Sequence, residues 1–151
     1  MHVRLVTRDD VPEVIALVRD VLAEFGLTFG EGAKTDSELH DLPGSYEDHG
    51  GMFWVAADPK IIGTCGIFPV AEKTYELRKM YLRPETRGKG VGKALLQAAL
   101  DHARKTGAKR MVLDTTHQMK RAIEFYEANG FVRDDKEIRG ARCSRGYVLD
   151  L

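Results

Sequence analysis

A chain of 151 residues with 43% apolar and 30% charged side chains is long enough to close a hydrophobic core without disulfides or metal, which excludes wholesale disorder and predicts one domain over residues 1–151. Lys plus Arg and Asp plus Glu each total 23, so the global basic footprint of a dedicated nucleic-acid binder is missing. The two cysteines, Cys65 and Cys143, form no CxxC pair, which argues against a metal cluster or disulfide scaffold and fits reduced thiols in the cytoplasm.

The N-terminus carries charges too early for a signal core, and the longest apolar run, Met52–Ala57, is far short of the ~20 residues that cross a bilayer. The expectation is a cytoplasmic protein with no membrane partner. Residues 3–6 alternate as a strand. Asp10, Pro12 and Glu13 read as a helix start, with Asp10 as cap, and Val11, Val14, Ile15, Val18, Val21, Leu22 and Phe25 follow at helical spacing up to Gly26. Residues 26–51 are glycine-rich and polar, with a short helix expected near Asp36–Leu42. Strands are predicted at Met52–Asp58, Ile61–Val70 and Thr74–Leu82. A helix follows with the stripe Val91, Leu95, Leu96, Ala99, Leu100 and Ala103, closed by Gly107. Then come a strand at Arg110–Thr115, a helix at Met119–Ala128 ending at Gly130, and strands near Phe131–Arg139 and Ser144–Leu149. The result is a mixed sheet with helices on its faces, and the Leu77–Thr115 unit is expected to be a right-handed parallel crossover.

The informative segment is Arg87-Gly88-Lys89-Gly90-Val91-Gly92-Lys93-Ala94, between a strand and a helix. Its glycines allow a sharp turn and close ligand approach, and the helix start offers free N–H groups and a positive dipole end. Together they suit a pyrophosphate, although glycines used for turning alone would give the same pattern. A P-loop would need Gly at Arg87 and Ser or Thr at Ala94, and a dinucleotide fingerprint would need Gly at Lys93. An ATP-dependent phosphotransferase is therefore a weaker alternative.

The segment does match Arg-x-x-Gly-x-Gly at Arg87, Gly90 and Gly92. With Glu76-Leu77-Arg78-Lys79-Met80-Tyr81-Leu82-Arg83-Pro84 upstream and Phe125-Tyr126-Glu127-Ala128-Asn129-Gly130-Phe131 downstream, the sequence resembles the GNAT superfamily of N-acetyltransferases. The resemblance spans about residues 52–133. It implies an α/β (α+β) fold, with a mostly antiparallel mixed sheet of about seven strands and about four helices. It also implies acetyl-CoA as co-substrate, no metal, and an amine acceptor, small molecule or peptide, attacking directly in a ternary complex. The chain departs from the family at Met119, where Asn is common.

By the same resemblance, Met80, Tyr81 and Leu82 would offer backbone groups to the pantetheine arm, and Arg87, Gly88, Lys89, Gly90, Val91, Gly92 and Lys93 would hold the diphosphate. Arg83, Arg87, Lys89 and Lys93 would add a local positive field. Glu76 matches the position of the general base in some members and equally reads as a strand carboxylate paired with Arg78. His117 is the alternative base, with His40 and His49 behind it. Tyr126 matches the acid that protonates the leaving thiolate, and its place on an apolar stripe with Met119, Ala122 and Ile123 equally suits a core aromatic. A non-catalytic acyl-CoA-binding module on the same fold is the alternative to an enzyme, and a homodimer is compatible with either. Between Glu31 and Gly50 six acids face one lysine; if that loop borders the acceptor, a cationic amine is favoured.

Overall fold

The computed structural model describes residues 1–151. Seven strands form one sheet: β1 (His2–Leu5), β2 (Met52–Ala57), β3 (Ile61–Ala71), β4 (Thr74–Leu82), β5 (Arg110–Thr115), β6 (Val132–Arg133) and β7 (Arg145–Asp150). Their spatial order is β1-β2-β3-β4-β5-β7-β6, and β4 with β5 is the one parallel pair. Four α-helices accompany them: α1 (Val11–Glu24), α2 (Gly44–Glu47), α3 (Val91–Lys105) and α4 (Lys120–Ala128). The element just before α2, Lys34–Asp41, is a 3-10 helix.

The sheet is covered on both faces, so β2 has no polar side. Phe53 and Val55 pack with Val14, Leu17, Val18 and Val21 of α1. Trp54 and Ala56 pack with Leu95, Leu96, Ala99 and Ala103 of α3. The period-2 and period-3.6 apolar patterns thus meet in two separate cores divided by the sheet. Glu13 ties the helix to the sheet, its Oε2 accepting the Ile61 N–H at 2.8 Å.

Two local expectations change. Asp10 does not cap α1. Its carboxylate turns back to Thr7, accepting that residue's N–H at 2.7 Å and its hydroxyl at 3.0 Å, and receives two hydrogen bonds from Arg4 at 2.7 and 2.9 Å. The long strand expected over Phe131–Arg139 shortens to Val132–Arg133. Asp134 accepts the Lys136 N–H and Asp135 the Gly146 N–H, which bends the chain into a 3-10 turn at Asp135–Glu137.

Candidate active site

The site begins with a fault in β4. Thr64 faces Tyr81 and Gly66 faces Arg78, so Lys79 and Met80 together oppose Cys65. This is a β-bulge, and Lys79 takes φ +54°, a left-handed conformation rare for a long side chain. Two contacts hold it. The Thr64 hydroxyl donates to the Lys79 carbonyl at 2.6 Å, and the Lys79 ammonium pairs with the fully buried Asp36. Asp36 also accepts from the Gly30 N–H at 2.7 Å and from the Arg142 guanidinium at 3.0 and 3.2 Å. Burial alone would raise the Asp36 carboxyl, but the Arg142 hydrogen bonds and the Lys79 charge outweigh it and hold it below the usual range. Burial lowers Lys79.

Pairing of β4 with β5 covers Thr74, Tyr75 and Glu76 and stops there. Beyond Glu76, β4 bends away with the bulge while β5 continues alongside β7. The two parallel strands therefore splay, and the gap opens cavities on either side. One, of about 690 Å³, is bordered by Glu76, Arg78, Asp114 and the Arg139–Cys143 loop. The other, of about 630 Å³, runs past Leu82 to Arg87, Gly88 and Gly92. Met80, Tyr81, Met119, Ala122 and Tyr126 line both. Tyr126 thus stands where the two spaces meet, and burial pushes its phenol far above the ordinary tyrosine range. The turn after α4 backs it: Phe131 N–H donates to the Tyr126 carbonyl at 3.0 Å, and the Phe131 ring lies edge-on at 5.7 Å.

The second space ends on the glycine turn. From Gly88 to Lys93 no N–H has a protein acceptor, and the first helical bond of α3 runs from the Ala94 N–H to the Gly90 carbonyl at 3.1 Å. Gly88 and Gly90 sit at φ +78° and +83°. At Gly90 a Cβ would meet nothing within 4 Å, so backbone conformation rather than crowding demands glycine there. Gly92 answers to packing: a Cβ would meet Leu82 at 3.3 Å and Met80 at 3.5 Å, which lets α3 start hard against β4. Consecutive free amides at a helix start, open to a cavity, fit a diphosphate by geometry and by dipole.

The model of the acetyltransferase (GNAT) family matches residues 16–131, most of the chain. The chain belongs to the GNAT acetyltransferase family. The uncharacterized N-acetyltransferase YjgM of Escherichia coli is 38% identical over 137 residues, covering 87% of this chain and 82% of that protein. A GNAT-family acetyltransferase from Staphylococcus aureus superposes with a TM-score of 0.90 at 22% identity, covering 99% of this chain and 98% of that one. The PaiA N-acetyltransferase of Thermoplasma acidophilum, solved with coenzyme A, gives 0.80 at 22% identity over 99% of this chain and 98% of its own. The fold expected from the sequence is the one these acetyltransferases share, and the chain is an acetyltransferase enzyme.

Within this acetyltransferase the expected residues separate into groups. Glu76 borders the larger cavity and is 5% exposed. Its Oε1 accepts from Arg78 Nε at 2.6 Å, while its buried Oε2 has no hydrogen bond. Met80, Tyr81 and Tyr126 line both cavities, and Leu82, Arg87, Gly88 and Gly92 the smaller one. Lys89 and Gly90 lie in the turn and Val91 and Lys93 in the first turn of α3, none of them lining either cavity, with both lysines exposed and Val91 in the core.

The histidines are not brought to the site. His117 is exposed, bonded through N–H and Nδ1 to Ser144 at 2.9 and 3.1 Å, and borders neither cavity; His40 and His49 lie against Phe29 and Phe68. Two of the four basic residues expected to supply the positive field are committed elsewhere. Arg83 pairs with Asp20 at 2.6 Å, and Arg87 forks onto Glu24 at 2.8 and 2.9 Å while donating to the Leu82 carbonyl at 3.0 Å. Arg87 thus ties the start of the turn to α1 and to the end of β4 while lining the smaller cavity. The guanidinium missed in the sequence is Arg121, which lies 3.7 Å from the position of a Cβ on Gly88. Only its place one turn before Phe125-Tyr126 could have pointed to it.

Proposed function

We propose that the chain transfers an acetyl group from acetyl-CoA to an amine, by direct attack with both substrates bound. The reading treats residues 1–151 as a single N-acetyltransferase unit, working in the cytoplasm with no metal. No helix is long and apolar enough to cross a membrane. The observation that carries the reading is the row of free amides from Gly88 to Lys93, whose Gly88 and Gly92 line a cavity that reaches Tyr126. The coenzyme A bound by the PaiA neighbour supports it.

In this reading the Gly88–Lys93 amides and the α3 dipole bind the diphosphate, with Arg121 beside them. Met80 to Leu82, unpaired toward β5, hydrogen-bond the amide-rich arm, and an N–H of that stretch polarises the thioester carbonyl. Acetyl-CoA supplies an activated acyl carbon and a thiolate leaving group. Glu76 Oε2, buried and without a hydrogen bond, takes the proton that the acceptor ammonium must lose before its nitrogen has a lone pair. A tyrosine carries its proton across the neutral range, and Tyr126 stands where the two cavities meet, so it can give that proton to the departing sulfur. Neither cysteine suits a covalent route. Cys65 is buried in the core, and burial with the Asp114 charge pushes the Cys143 thiol up to about 12, so little thiolate exists.

Thiol release from acetyl-CoA over a broad amine panel tests the proposal. Tyr126→Phe is expected to lower kcat about a hundredfold, within the range of general acid catalysis, with little change in KM for acetyl-CoA. Glu76→Gln is expected to lower kcat most at low pH, where the acceptor is fully protonated. Coenzyme A binding with no thiol release across the panel would contradict transfer and point to a binding module.

A further inference from the structure

The acid-rich loop borders the acceptor space through Gly30, Gly32, Ala33, Lys34 and Thr35, but its acids do not. None of the six acids between Glu31 and Gly50 lines the 690 Å³ cavity, whereas Lys34 does. The charged lining is Lys34, Arg78, Lys79, Arg139 and Arg142 against Glu76 and Asp114. Behind the wall one carboxylate, Asp36, serves two cations, Lys79 and Arg142, which leaves a positive charge over. Arg78 is matched by Glu76 at 2.6 Å and Glu38 at 3.2 Å. Asp114 Oδ2 is taken by the N–H groups of Arg139 and Gly140 at 2.7 and 2.6 Å.

Two cations stay under-matched at the mouth. Lys34 is exposed and makes no ion pair. Arg139, its side chain 40% exposed, donates to the Glu137 carbonyl at 3.2 Å and reaches carboxylates only at 3.5 Å, to Glu137, and 3.6 Å, to Glu76 Oε2. That Glu76 oxygen is the buried one without a hydrogen bond. The site therefore presents an unsatisfied carboxylate oxygen and a loosely held guanidinium side by side.

We propose that the acceptor is an α-amino acid or a close analogue, its amine donating to Glu76 Oε2 and its carboxylate accepting from Arg139. An ammonium and a carboxylate on one carbon are a few ångströms apart, the same scale as the 3.6 Å between Glu76 Oε2 and Arg139 Nη1. Laid antiparallel across that pair, each charge faces its opposite. A polyamine would instead bring a second cation against Arg139, Lys34 and the surplus at Arg142, where like charges repel. The proposal rests on the transfer reading above and narrows its acceptor.

The test uses matched sets of amines: a free amino acid, its amide and its decarboxylated amine, for small, aromatic and acidic side chains, with spermidine as the polyamine. Thiol release is followed at saturating acetyl-CoA, and coenzyme A binding by calorimetry. The amino acid of the preferred set is expected to exceed its amide and amine in kcat/KM by at least about tenfold, the scale of one charge-assisted hydrogen bond. Arg139→Gln is expected to shrink that ratio to near one. The amide's amine is the less basic of the pair, so intrinsic reactivity runs against the predicted preference. Better turnover of spermidine or the decarboxylated amines, or a carboxylate preference that survives Arg139→Gln, would overturn the proposal and leave the transfer reading standing. Binding of coenzyme A without thiol release from any member would overturn the proposal alone, and absence of coenzyme A binding would overturn both.

Discussion

Single side chains here owe their chemistry to what surrounds them. Burial raises the Tyr126 phenol, so it stays neutral and is a weaker acid than a free tyrosine, one whose proton moves only as the thiolate charge develops beside it. Cys143 is held protonated by burial and the neighbouring Asp114 charge, which makes it a poor nucleophile although it borders a cavity. In the native protein both cysteines are therefore expected to react with a disulfide reagent at pH 7.5 far more slowly than free cysteine, and at the ordinary rate once urea unfolds the chain. Rapid reaction of one thiol under native conditions would contradict this. Asp10 shows the opposite displacement. The Arg4 guanidinium, then the Thr7 N–H and hydroxyl, outweigh burial and bring its carboxyl down to about 2. A depressed folded value means the stabilisation is complete above the unfolded carboxyl range and is lost as pH falls from about 4 toward 2. It amounts to about 1–2 kcal/mol for a mostly buried group with a shift of this size. Urea midpoints between pH 2 and 5 are expected to fall more steeply for the parent than for Asp10→Asn, and identical slopes would refute the assignment.

At the scale of elements, the bulge in β4 and the turn before α3 are two ways of freeing backbone groups for a ligand. The bulge needs a positive φ at a lysine, a conformation that costs roughly 1–2 kcal/mol away from glycine. The buried Asp36 offsets that cost by fastening Lys79 to the loops that carry Gly30 and Arg142. Removing one partner of such a cluster leaves buried charge uncompensated, a loss of about 3–5 kcal/mol. Asp36→Asn is expected to lower the urea midpoint accordingly, and adding Lys79→Met is expected to restore part of it. A midpoint for Asp36→Asn equal to the parent's would show that the cluster does not hold the bulge. Little of this device was legible in the sequence. Lys79 and Asp36 lie far apart along the chain, and no local pattern marks a lysine for positive φ. The strand Thr74–Leu82 that contains the bulge was legible to the residue, because its alternation and flanking turns are local. The loop acids were visible as charges, but their partners were not: Asp36 and Glu38 face Lys79, Arg142 and Arg78, and none of the six acids lines the larger cavity, so the condition under which the loop would favour a cationic amine is not met there.

Across the whole molecule, one sheet with helices on both faces supplies two independent cores, and the splay of β4 from β5 cuts a passage between them. The order of strands and helices followed from apolar periodicity and glycine punctuation. The glycine turn followed from residues whose need for free backbone is strong enough to show in one sequence. Arg121, and the absence of the histidines from the site, required the packed structure, since both depend on how α4 and the segment after β5 settle on the rest. In the proposed reading, backbone donors after β4 hold the diphosphate of coenzyme A and direct its sulfur to Tyr126. A crystal structure of the coenzyme A complex tests it most directly. Diphosphate oxygens are expected within hydrogen-bond distance of the Gly88–Lys93 amides, with the thiol end between Met80 and the Tyr126 hydroxyl; a nucleotide bound away from that turn, or a sulfur turned from Tyr126, would refute the assignment.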